Sequence, residues 1–144
     1  MRVCPFCAIA GGSEDAHVVF SDHSSVAFLD RRPLFAGHLL LIPRQHHVTL
    51  TDLPVEQVGA LFTNARLLAG VVEQAMEAEG SFVACNNRVS QSVPHFHVHI
   101  VPRRRKDGLR GFFWPRRSYT DEAEMAAVAG SIRATLALQS EGRG

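Results

Sequence analysis

His95-Phe96-His97-Val98-His99-Ile100-Val101 alternates histidine with apolar residues, and this stretch decides how the rest of the chain is read. The period is that of a strand, because successive side chains leave opposite faces of a sheet. Three imidazoles then share one face, while Phe96, Val98 and Ile100 share another that suits a core. Burying an imidazole without a hydrogen-bond partner costs about 1–3 kcal/mol. Folding gains nothing from three of them in a row, so the histidine face is read as the working surface. Along a strand, i and i+2 lie ~6.6 Å apart, and i and i+4 ~13 Å. Two neighbours can share a metal ion; all three on one ion would need a sharp bend. Separate roles for the three rings are therefore expected, and a neutral imidazole serves equally as nucleophile, proton shuttle or ligand.

Residues 81–85 read as the strand before this one. Gly37-His38-Leu39-Leu40-Leu41-Ile42-Pro43 is a continuous apolar run closed by proline, which reads as a well-covered central strand. Residues 17–20 and 26–30 are short β-type runs around a turn-like pentad. Between these strands the period changes. Val58, Leu61, Phe62, Ala65, Leu68, Ala69, Val72 and Met76 recur at three- and four-residue steps, predicting an amphipathic helix over about 54–79. Asp52 is expected to cap it, Pro54 to sit in its first turn, and Gly80 to end it in the left-handed conformation. A second, alanine-rich helix is expected over about 121–138, capped at Thr120 or Asp121, followed by a frayed tail at 139–144. No repeat or linker divides the chain, so residues 1–138 are read as one domain. The predicted class is α+β, with a mainly antiparallel sheet of about five strands, one long helix and a shorter C-terminal one.

The formal net charge is +1, so bulk electrostatics point to neither nucleic acid nor a membrane. No apolar run approaches the roughly 20 residues needed to cross a bilayer. The N-terminal stretch is too short and too punctuated for a signal peptide. Three cysteines, two at CxxC spacing, fit a reducing compartment better than a disulfide framework, and a cytoplasmic protein is expected.

Followed by Pro102-Arg103, the histidine stretch resembles the signature of the histidine triad (HIT) family of nucleotide hydrolases and transferases. Gly37 to His46 (GHLLLIPRQH) resembles that family's second block, and Cys4-Pro5-Phe6-Cys7-Ala8-Ile9 its N-terminal block. The matches run in order from residue 4 to about 102. The resemblance implies that His97 attacks the α-phosphorus of a purine nucleotide, forming a covalent nucleotidyl-histidine that water or another acceptor breaks. It further implies that His99 binds a phosphate oxygen, that Ser92 assists the departing group and that Gln91 and Asn86 contact phosphate. Asp30 would hold the ribose hydroxyls, and Phe6, Ile9 and Phe28 would border the base, although each also reads as core. Many relatives carry a glycine-rich loop where this chain has Asn86-Asn87-Arg88-Val89-Ser90-Gln91, so Asn87 stays open beside Asn86, and Arg88 is expected to add charge near a polyphosphate.

Cys4-Pro5-Phe6-Cys7 has the spacing of a redox motif, but only three residues precede it, leaving no room for the strand such a motif follows. A knuckle supplying two thiolates to tetrahedral zinc fits better. The resemblance completes the site with His46 and His95, with His47 as the competing neighbour of His46. Cys85 reads as a small buried hydrophobe. Residues 103–119 form a basic and aromatic arm containing seven of the fifteen Lys and Arg residues and Trp114-Pro115. A solvated loop with an aromatic plug is favoured over nucleic-acid binding. The resemblance implies a homodimer with joined sheets, the arm reaching the neighbouring site. Two function classes follow: an enzyme acting on dinucleoside polyphosphates or nucleoside phosphoramidates, or a nucleotide-binding module whose slow hydrolysis is incidental.

Overall fold

The computed structural model describes residues 3–110 and 116–142. Contacts divide the chain into two units, Met1–Asp107 and Gly108–Gly144. The first contains α1 (Pro5–Ala10), β1 (Val18–Ser21), β2 (Ser25–Leu29), β3 (Leu39–Pro43), α2 (Val55–Ala75), β4 (Gly80–Ala84) and β5 (Val98–Arg103). The second contains α3 (Glu122–Glu141), whose Asp121 cap accepts a hydrogen bond from the Glu124 amide. The strands form one antiparallel sheet in the order β1-β2-β3-β5-β4, as the α+β reading requires. Among the described residues, no helix is long and apolar enough to cross a membrane.

Strand alternation sorts the core into two clusters, one on each sheet face. Ala27, Leu39, Leu41, Phe96, Val98 and Ile100 meet Leu61, Ala65, Leu68 and Val72 of α2. Burying each of the larger aliphatic side chains stabilises the fold by about 1.5–3 kcal/mol. On the opposite face Val26, Phe28, Leu40 and Ile42 meet Phe6 of α1. His99 is the register partner of Leu40. The apolar half of the histidine stretch thus holds α2, and its polar half faces the side where α1 lies.

Several boundaries differ from the sequence reading. The histidine stretch was expected to be strand from residue 95, but β5 begins at Val98. The ladder to β3 ends at Leu41–Val98, and upstream the Phe96 amide bonds to the His47 carbonyl instead (2.6 Å). Residues 95–97 keep the alternation outside the sheet. Asp52 does not cap α2, whose N-cap position is Pro54. Its carboxylate instead accepts from the Thr49 amide and hydroxyl, closing a capping box on a 3-10 turn at Leu50–Asp52. Gly80 does not end α2 either. The helix stops at Ala75, Glu77 takes the left-handed conformation (φ 52°) and Gly80 opens β4. The early stop brings the Glu79 amide onto the Arg103 carbonyl, extending the β4–β5 pairing. The C-terminal helix runs to Glu141, past the expected end at 138. Trp114 and Pro115 lie outside the described residues.

Glycine is required at position 37, where φ is +95° and a Cβ would stand 2.6 Å from Met76 Cγ. That glycine admits the tight entry into β3 just before His38.

The β1–β2 turn is tied to α2 through one carboxylate. Asp22 accepts from the Ser24 and Ser25 amides at 2.8 Å and from Asn64 Nδ2 of α2 at 2.9 Å. Burial alone would raise its pKa, but the bonds from Asn64, Ser24 and Ser25 outweigh it and hold the carboxyl well below the usual range. A depressed folded pKa stabilises the fold above the unfolded value and loses that stability as pH falls through about 4 and below. Asp22→Ala should cost about 2–3 kcal/mol in urea denaturation at pH 7. The gap to the parent protein should narrow below pH 4; a gap unchanged between pH 7 and pH 3 would contradict this account.

Candidate active site and metal cage

Each histidine of the stretch makes a hydrogen bond that places its proton. His97 Nδ1 lies 2.7 Å from the His95 carbonyl oxygen. A carbonyl can only accept, so Nδ1 carries the hydrogen and Nε2 keeps its lone pair. His95 Nε2 lies 2.9 Å from the Pro43 carbonyl, so this ring is protonated at Nε2 and turns its Nδ1 lone pair elsewhere. His99 is set by a residue whose role the sequence reading left unassigned. The Leu34 amide donates to His38 Nδ1 at 3.0 Å, so neutral His38 carries its proton on Nε2. That proton points at His99 Nδ1, 3.0 Å away. His99 must then hold its own proton on Nε2. The nearest competitor, Asp30 Oδ2, is 3.7 Å from His38 Nε2, too far for a hydrogen bond.

Electrostatics favour the neutral form of His38 and His99. Burial, followed by repulsion from His97 and His38, pushes the pKa of His99 down to about 4, against the pull of Asp30. Burial also lowers His38, with Asp30 opposing and His97 assisting. Asp30 and His38 with His99 form a second cluster of metal-ligand type. The Leu34 bond argues against an ion there, because a His38 ring accepting at Nδ1 is protonated at Nε2, the atom that would have to ligate.

His97 and His99 open into a cavity of about 310 Å³, lined also by Phe6, Ile9, Phe28, Asp30 and Ser92. Phe6 stands edge-on to both Phe28 and His97, with centroids 5.3 and 5.1 Å apart. Seven of the residues singled out in the sequence are therefore brought together. Asp30 Oδ1 accepts from the Arg32 amide at 2.8 Å, which fixes the carboxylate at the cavity wall.

Gln91 and Asn86 are not among the lining residues. Gln91 donates to the Val48 carbonyl and accepts from the Arg88 amide. Asn86 donates to the Ser90 carbonyl, and Asn87 accepts from the Leu50 amide. Their side chains shape the 86–91 loop, in which Arg88 and Ser90 adopt positive φ (70° and 62°) without glycine. The cavity also has lining residues the sequence reading missed, Glu14, Asp15, Arg31 and Arg32 among them. They come from two loops with no shared motif, so no local signal marked them. His38 did carry a signal: a lone imidazole in an otherwise apolar strand needs a partner.

Behind the cavity, Cys4, Cys7, His46 and His95 bring one ligand atom each to within 4.8 Å of one another. Sulfur-to-nitrogen distances are 3.4 Å for Cys4–His95, 3.5 Å for Cys7–His95 and 3.3 Å for Cys7–His46. A tetrahedral ion with ordinary Zn–S and Zn–N bonds sets that edge at about 3.6 Å. The bond from His95 Nε2 to Pro43 is the outer-sphere partner that leaves Nδ1 free to ligate. Burial and the adjacent Cys4 raise the Cys7 thiol, a repulsion that a divalent cation between the sulfurs removes. The residues fit a metal, and α1 explains how: Pro5 sits in its first turn, and the Cys4 cap and Cys7 fall one turn apart. His47 is not part of this set.

Comparison with known proteins shows the family of the chain. The HIT domain family matches residues 12–106, and the chain belongs to that family. An uncharacterized HIT-like protein of Saccharolobus solfataricus is 32% identical over 123 residues, 83% of this chain and 88% of its own. A bis(5'-nucleosyl)-tetraphosphatase (asymmetrical) of Schizosaccharomyces pombe is 35% identical over 64% of this chain and 52% of its own. An adenylylsulfatase of Arabidopsis thaliana is 32% identical over 74% of this chain and 55% of its own. Among solved structures, a Zn-bound histidine triad family protein from Mycobacterium smegmatis shares 34% identity at a TM-score of 0.70, covering 91% of this chain and 96% of that one.

The cage should take up Co²⁺ with the visible absorption of a tetrahedral thiolate site. Cys7→Ser should weaken the thiolate charge-transfer band and lower affinity by at least tenfold. A spectrum of octahedral type, or one indifferent to Cys7, would rule the cage out.

Proposed function

We propose that this chain is a nucleotide hydrolase or nucleotidyltransferase acting at the α-phosphorus through a covalent intermediate on His97. The observation that carries the reading is the hydrogen bond from His97 Nδ1 to the His95 carbonyl, which leaves a basic Nε2 in a cavity walled by Phe6 and Phe28. The base would lie between those walls, and the ribose hydroxyls would donate to Asp30. His97 Nε2 uses its lone pair to form the N–P bond while the bond to the leaving group breaks. The leaving group departs with that electron pair and takes up a proton, with Ser92 positioned to assist. His99 Nε2–H donates to a non-bridging phosphate oxygen as charge builds there. Water then attacks phosphorus, the N–P pair returns to Nε2, and water's proton replaces the one consumed. Dinucleoside polyphosphates and nucleoside phosphoramidates are the substrate types in view. The polyphosphatase and sulfatase relatives support cleavage beside a nucleotide phosphate.

We further propose that the cage holds structural zinc, which would fix Cys4, Cys7, His46 and His95 and so pin α1 beside the cavity. The protein is read as a cytoplasmic homodimer. β4 is an edge strand carrying an exposed Val83, and α2 exposes Leu67 and Val71; these surfaces suit a paired sheet edge covered by a second copy. Sedimentation equilibrium should give twice the chain mass, and a monomer at micromolar concentration would exclude the dimer.

His97→Ala should reduce turnover of an adenylated or guanylated phosphoramidate by at least 10³-fold while nucleotide affinity changes less than fivefold. Labelled nucleotide attached to the parent protein in an alkali-stable, acid-labile bond, absent from the variant, identifies the intermediate. Full turnover by His97→Ala would overturn His97 as the nucleophile, and nucleotide binding by the parent protein without turnover would leave only the binding-module reading.

A further inference from the structure

The apolar walls of the cavity do not distinguish one base from another, but its rim does. Phe6, Phe28 and Leu40 offer stacking and contact to any purine. The same cavity is lined by charged side chains, Glu14 and Asp15 on the segment between α1 and β1, and Arg31 and Arg32 after β2. These two segments are joined: Arg31 donates to the Asp15 carbonyl at 3.4 Å, and the Glu14 amide bonds to the Ala8 carbonyl in α1. The rim backbone is held, while neither carboxylate enters an ion pair among the described residues. On the nucleotide reading His97, His99 and Ser92 take the phosphate and Asp30 the ribose. The edge of a seated base is thereby left to meet the charged rim.

We propose that this rim selects guanine over adenine, a choice that rests on the nucleotide reading above and adds the base to it. Guanine presents two adjacent donors, N1–H and the N2 amine, which one carboxylate accepts together. Its O6 and N7 are adjacent acceptors, the pair that a guanidinium reads most often. Adenine loses one favourable partner from each set. Its N1 lone pair faces the carboxylate, and its N6 amine faces the guanidinium. Acidic and basic groups on the two rim segments therefore favour the same base, and the carboxylates carry the larger share because Arg31 is already engaged by the Asp15 carbonyl.

Calorimetric titration of the parent protein with the 5'-monophosphates of guanosine, inosine and adenosine tests this without any turnover. Guanosine monophosphate should bind at least tenfold tighter than adenosine monophosphate, with the inosine form, which lacks the N2 amine, between them. In Glu14→Gln/Asp15→Asn the guanosine-to-adenosine ratio should fall below threefold, and each single variant should give part of that loss. Both residues are exposed, and circular dichroism verifies the fold of each variant. Equal binding or an adenosine preference in the parent overturns the base assignment and leaves the nucleotide reading standing. A guanosine preference that survives the double variant overturns the role of the rim. No binding of any monophosphate at millimolar concentration overturns the nucleotide reading as well.

Discussion

A backbone carbonyl that accepts from an imidazole decides which nitrogen of that ring is basic, and the site depends on this constraint. The Pro43 carbonyl takes the Nε2 proton of His95, leaving Nδ1 toward the sulfurs of Cys4 and Cys7. The His95 carbonyl takes the Nδ1 proton of His97 and exposes Nε2. The Leu34 amide acts in reverse on His38, whose Nε2 proton then forces His99 to donate from its own Nε2. One alternating segment thus offers a free Nδ1 lone pair on His95, a free Nε2 lone pair on His97 and an N–H donor on His99. Chemically identical side chains differ in their hydrogen-bond partners, a backbone carbonyl for His95 and His97 and the His38 ring for His99.

The fold supplies those partners by letting the strand end early. Were residues 95–97 laddered between β3 and β4, their carbonyls would bond to neighbouring strands. Because pairing with β3 begins only at Val98, the His95 carbonyl is available to His97. Phe96 remains buried in the α2-side core, so the three side chains below it still turn toward α1. Phe6 then links the two sites. It lies between Cys4 and Cys7 in sequence, packs on His95 and His97, and forms a wall of the cavity. Loss of the cage would release α1, and with it that wall.

Much of this was legible in the sequence, for identifiable reasons. Period-two alternation gave the histidine face, and the unbroken run at 39–43 gave the central strand, buried on both faces. Period 3.6 gave α2 but not its ends, because Asp52 and Glu77 obey local turn bonds that propensity does not record. α1 was missed: six residues carry too little periodicity, and the CxxC spacing reads as a metal motif before it reads as a helix. Cys4 and Cys7 are marked by their CxxC spacing, His46 and His95 only by the family resemblance, and the structure brings the four together. Asn86 and Gln91 were expected at phosphate, yet their amides hold a loop that reaches positive φ without glycine. The charged rim was invisible, since only folding brings residues 14–15 and 31–32 to one cavity.

Long-range proton–nitrogen correlation spectra of the ring-labelled histidines at pH 7 test the central claim most directly. The account predicts neutral His97 protonated at Nδ1, and His38, His95 and His99 protonated at Nε2. A His97 carrying its proton on Nε2, or a His99 carrying it on Nδ1, would contradict it.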